Sequence, residues 1–75
     1  MEGRERYSLI TSAMLNGIKV TKGDILRENA TGQTVKVMNV YGNPEGDRLL
    51  MVEYNGPNRA GIPFQKPVNA FSFLS

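Results

Sequence analysis

Two apolar runs separated by a short polar turn constrain this chain most. Residues 33 to 41, Gln-Thr-Val-Lys-Val-Met-Asn-Val-Tyr, and residues 48 to 54, Arg-Leu-Leu-Met-Val-Glu-Tyr, are rich in β-branched and aromatic side chains, and Gly42 to Asp47 between them is a turn sequence. The pair reads as a β-hairpin. Strict alternation places Val35, Val37, Asn39 and Tyr41 on one face of its first strand, and Thr34, Lys36, Met38 and Val40 on the other. In the second strand Leu50, Val52 and Tyr54 share one face, and Leu49, Met51 and Glu53 the other. Neither face is cleanly polar. One set must build the core, so Met38, Val40, Leu49 and Met51 form a second apolar patch that something covers or binds.

The rest of the chain has the same texture. Ile18 to Val20 and Ile25 to Glu28 read as short strands joined by Thr21-Lys22-Gly23-Asp24, and Asn29 to Gly32 turns the chain into the hairpin. After a break at Asn55-Gly56-Pro57-Asn58, residues 59 to 64 alternate Ile62 and Phe64, with Pro63 marking an edge strand or a strand end. Pro67 to Ala70 reads as one helical turn, and Phe71 and Phe73 then point one way. Tyr7 to Leu15 fits both periods: Leu9, Ile10, Ala13 and Met14 make a helical stripe, and Tyr7, Leu9, Thr11, Ala13 and Leu15 an alternating strand. Asn16-Gly17 favours a tight hairpin there, although the same pair also caps helices. Residues 1 to 6 are expected to be disordered.

Seventy-five residues make a single domain, residues 1 to 75, with one core. Five to seven short antiparallel strands at this spacing predict a mainly β fold, a small sandwich or barrel. Gly23-Asp24-Ile25-Leu26, the turn at Thr31-Gly32, the long hairpin and the turn Lys66-Pro67-Val68-Asn69 before a last strand resemble the strand order of SH3-like small barrels. In length and style the chain also resembles the small accessory proteins of bacteriophages and prophages. That resemblance implies a non-enzymatic binding module of a bacterial or phage-infected cytoplasm. It carries no binding residues over, because the aromatic pair and acidic loop of peptide-binding SH3 domains have no counterpart here.

With no histidine and no cysteine, the commonest transition-metal ligands and the usual general base and thiol nucleophile are missing. Only Glu45 and Asp47 among the seven acids lie close together, in a solvated turn, and no phosphate-cradling glycine motif is present. We therefore expect no catalytic residues, no cofactor and no bound metal; Asn43, Glu45 and Asp47 form an incomplete set for a cation, and the plain polar turn is preferred. The absence of cysteine and of an apolar leader or membrane span suits a cytoplasmic protein.

The pI of 9.2 overstates a net charge of only +2, because no histidine buffers the neutral range. The excess is N-terminal: residues 1 to 27 hold five bases against three acids, and residues 28 to 75 hold four of each. Two binding modes follow. A protein partner or homodimer, the favoured reading, would use Met38, Val40, Leu49 and Met51, with Tyr54 and Arg59 at the rim. A nucleic acid would instead be held by Lys19, Lys22, Arg27, Arg48 and Arg59 on phosphates, with Tyr41 or Tyr54 stacking on bases. The decisive structural question is whether residues 7 to 15, with Leu9, Ile10 and Met14, fold over the second face of the hairpin.

Overall fold

The computed structural model describes residues 6–56 and 61–74. Eight strands run in chain order: β1 (Ser8–Ile10), β2 (Ser12–Leu15), β3 (Ile18–Thr21), β4 (Ile25–Glu28), β5 (Thr34–Gly42), β6 (Arg48–Tyr54), β7 (Phe64–Pro67) and β8 (Phe71–Phe73). A single turn of 3₁₀ helix, Val68–Ala70, separates the last two. The fold is mainly β and antiparallel, with eight described strands where five to seven were expected. Of the strand expected over residues 59 to 64, the described residues 61 to 63 lie in no strand. Ile62 among them is exposed, and β7 begins at Phe64 directly after Pro63, whose missing N–H cannot join the ladder. Arg59 lies outside the described residues, as do residues 1 to 5 of the segment expected to be disordered.

Six strands form one sheet in the order β7-β6-β5-β4-β8, with β1 added to the far half of β5. The strands β7 and β8 at the two ends of that path are joined only by residues 68 to 70. Five strands laid flat would separate those ends by about 19 Å, whereas so short a link spans at most about 14 Å. The sheet therefore curls strongly, although no ladder between β7 and β8 closes it into a barrel among the described residues.

The N-terminal ambiguity resolves to strands. β2 and β3 make a separate two-stranded sheet whose turn, Asn16-Gly17, has φ of 52° and 79°, the positive values a two-residue hairpin turn requires. This hairpin brings Ala13, Leu15 and Val20 onto the concave side of the large sheet, where they join Leu26, Val35, Val37, Val40, Leu50, Val52 and Phe71 in one buried cluster.

Val40 belongs to that core, which corrects its expected place on the second face. The β5–β6 register slips between Val37 and Asn39, so Met38 is the extra residue of a β-bulge. Before the bulge Val35 and Val37 point inward; after it Val40 opposes Leu50 inward, and Asn39 and Tyr41 oppose Met51 and Leu49 outward. One inserted residue exchanges the faces of Val40 and Tyr41.

Candidate functional site

The convex, outer face of the sheet is built by cross-strand pairs. Leu9 of β1 opposes Tyr41 of β5, Tyr41 opposes Leu49 of β6, and Leu49 opposes Pro67 of β7, so these four residues form one row across four strands. Asn39, Met51 and Gln65 make the next row. Beyond it Ile25, Lys36 and Glu53 form a third, with Arg27 and Thr34 beside them. Leu9 is 65% exposed, while Tyr41, Leu49, Met51 and Met38 are half-buried.

The N-terminal segment does not fold over this face, contrary to one expectation. Leu9 lies within the outer face, Ile10 packs against the core from the β5 edge, and Met14 points away from the core at 57% exposure. The β2–β3 hairpin covers the opposite, concave face, because its own alternation brings Ala13 and Leu15 there. The 3₁₀ turn likewise sets Val68 and Ala70 against the core. Among the described residues, neither element outside the large sheet lies on the outer face.

At the tip of the β5–β6 hairpin the turn is knitted by its own polar groups. The Asp47 backbone N–H donates to Asn43 Oδ1 at 2.8 Å, Asn43 Nδ2 donates to Asp47 Oδ2 at 3.1 Å, and the Gly46 N–H donates to the Asn43 carbonyl at 3.1 Å. Asn43 and Asp47 thus satisfy each other. Arg48 donates from Nη1 to the Asp47 carbonyl at 3.0 Å and lies across Gly42, where a Cβ would sit 2.7 Å from that nitrogen. Glycine at 42 is what allows the guanidinium to pass. Beside the tip an open groove of about 520 Å³ is lined by Tyr7, Met14, Leu49, Pro67 and Val68 together with Asp47 and Arg48.

Tyr54, expected at the rim of the patch, faces the other way. On β6 it follows Leu50 and Val52 inward, its ring lies 4.8 Å from that of Phe64, and its hydroxyl donates to Glu28 Oε1 at 2.8 Å. Glu28 is fully buried and also accepts from Thr31 Oγ1 at 2.9 Å and from the Lys66 ammonium, with which it forms an ion pair. The Lys66 hydrogen bond, seconded by those of Tyr54 and Thr31 and by the lysine's charge, holds the Glu28 carboxyl below its ordinary range against the opposing effect of burial. The Lys66 ammonium is raised in turn by that same hydrogen bond. This cluster was missed because an acid in Ile25-Leu26-Arg27-Glu28 looks like a strand end, yet Leu26 and Glu28 share a face and a buried Leu26 takes Glu28 inward with it.

The four candidate phosphate-binding bases among the described residues do not converge. Lys19 pairs with Met14 on the side of the hairpin turned away from the core, Lys22 sits in the turn before β4, Arg27 is on the outer face of the large sheet, and Arg48 is held at the hairpin tip. Tyr41 alone of the proposed stacking tyrosines faces outward. Among the described residues no helix is long and apolar enough to cross a membrane, and no three His, Cys, Asp or Glu side chains cluster as metal ligands would. No family model, no curated protein and no solved structure matches this chain.

Proposed function

We propose that this chain is a small non-enzymatic binding module, an SH3-like curled sheet that acts by protein–protein contact through its outer face. One observation carries the reading: the row Leu9–Tyr41–Leu49, flanked by Met51 and Met38, is an apolar surface that Met14 of β2 and Val68 of the 3₁₀ turn approach only at the groove beside Leu49. Methionines at such a surface adapt to the shape of a partner. The curl imposed by the three-residue link from β7 to β8 supports the SH3-like architecture. Nucleic-acid binding is the weaker reading, because phosphates need several bases on one surface and the four described candidates, Lys19, Lys22, Arg27 and Arg48, are spread over different parts of the fold.

The test is substitution of the face with the fold held constant. Leu9→Lys and Met51→Lys each place a charge in the row, and for such surface positions the effect on urea unfolding should stay within about 0.5 kcal/mol for Leu9 and about 1 kcal/mol for the half-buried Met51. Both variants should lose whatever contact the wild type makes, whether to another protein in quantitative affinity capture or to itself in light scattering. Unchanged contacts in both folded variants would refute the assignment.

A further inference from the structure

Resting on that reading, we propose that the partner of the outer face is a second copy of this chain, packed face to face about a two-fold axis with its β5–β6 hairpin antiparallel to the first. The outer face is polarised along that hairpin. At its base Arg27 and Lys36 stand exposed on adjacent strands, neither with a carboxylate partner among the described residues. Glu53 opposes Lys36 there, its Oε1 taking the Gly61 N–H at 2.9 Å, so the base of the hairpin carries two bases against one acid. At the other end, the tip presents Glu45, exposed and without a partner among the described residues, next to the Asp47 carboxylate, so two acids there stand beside the single base Arg48. Between the two ends lie Tyr41, Leu49 and Met51.

A two-fold axis in the plane of the sheet and perpendicular to the strands reverses strand direction as it turns one face onto the other. It therefore lays the acidic tip of each copy on the basic base of its partner, twice per dimer, and the apolar middle on itself. A parallel arrangement would oppose like charges at both ends, so the charge layout selects the antiparallel one. Because the face is convex, the contact stays below the standard interface of about 800 Å² per partner, which would be roughly a sixth of the 4749 Å² surface. With side chains that are already half-buried supplying the apolar contact, the dimer is a weak, reversible one whose affinity falls with salt.

Sedimentation velocity on the 75-residue chain, from micromolar to about 1 mM and at low and high salt, tests this. The expected result is a concentration-dependent monomer–dimer equilibrium that weakens as salt rises. Lys36→Glu and Glu45→Lys are exposed, so they leave the fold intact, and each should weaken the dimer about ten-fold at low salt because each mismatch occurs twice. Combined in one chain, they restore complementarity and should bring the dissociation constant back within about three-fold of wild type. A monomer throughout, or a combined variant no tighter than the singles, overturns the proposal. A monomeric wild type that captures another protein, in a manner abolished by Leu9→Lys, would overturn the dimer and leave the binding face standing; loss of both kinds of contact would remove the two together.

Discussion

Glu28 has no contact with water, and what makes its charge tolerable is specific to three donors from three places: Thr31 in the following turn, Tyr54 on β6 and Lys66 on β7. Only the Glu28 end of the ion pair is buried, with the Lys66 side chain 37% exposed, so the pair itself contributes little net stability, but leaving the buried carboxylate without its donors is costly. Glu28→Gln keeps the shape and two of the hydrogen bonds, loses the charge-assisted one, and should cost about 1–3 kcal/mol in urea unfolding. The same site sets a pH dependence. Because the folded Glu28 carboxyl titrates below its ordinary value of 4.5, its contribution is present above that value and is lost as pH falls through the lower, folded one. Stability of the wild type should therefore decline on acidification below about pH 4.5, and the Glu28→Gln chain should show a shallower decline. An identical slope in both would mean that other carboxylates carry the acid sensitivity.

At the scale of elements the β2–β3 turn offers the cleanest test. Gly17 sits at φ 79° with nothing within 4 Å of a would-be Cβ, so a methyl group there meets no clash and the whole effect of Gly17→Ala is backbone strain. The expected loss is about 1 kcal/mol, read as a lower urea midpoint at unchanged slope; a midpoint equal to wild type would place the turn in another conformation. That turn was legible in advance, since Asn-Gly between two apolar residues has a mechanism behind it. So were β4, β5, β6, the 3₁₀ turn and the alternation of Phe71 and Phe73. The bulge at Met38 was not, because Val35, Val37 and Val40 satisfy two phases of a period-two pattern and only cross-strand pairing selects between them. Two of the expected contact residues left the outer face: Val40 went inside with the bulge, and Tyr54, on the inward face of β6, bonds a carboxylate whose partners lie 26 and 38 positions away. Leu9 was recognised as apolar but assigned to cover the face it helps to form, since nothing local says whether a short strand pairs at an edge or packs across a sheet.

For the whole molecule the curl is the governing feature, and it depends on the last strand. β8 pairs Phe71 with Glu28 and Phe73 with Leu26, contacts that join the end of the chain to its first half, and Phe71 is only 2% exposed in the centre of the core. The Asn29 N–H donates to the Ala70 carbonyl at 2.9 Å, and Ser72 donates to the Asn29 side chain, so the segment is tied to β4 on both its backbone and its side chains. Replacing a buried phenylalanine by alanine typically costs about 3–5 kcal/mol, and a domain this small has a total stability near the low end of about 5–15 kcal/mol. Phe71→Ala should therefore leave a marginal fold, and a chain ending at Ala70 should show no cooperative urea transition by circular dichroism. Losing β8 exposes Leu26 on one edge and frees the 3₁₀ turn that draws β7 toward β4, so the Lys66–Glu28 pair loses its geometry as well. If the shortened chain instead unfolded with the wild-type midpoint, β8 would be an appendage to a sheet whose curl is maintained by β5 and its bulge alone. The graded Phe71→Ala variant separates these outcomes, because a core residue lowers the midpoint in proportion to its burial and an appended one leaves it where it was.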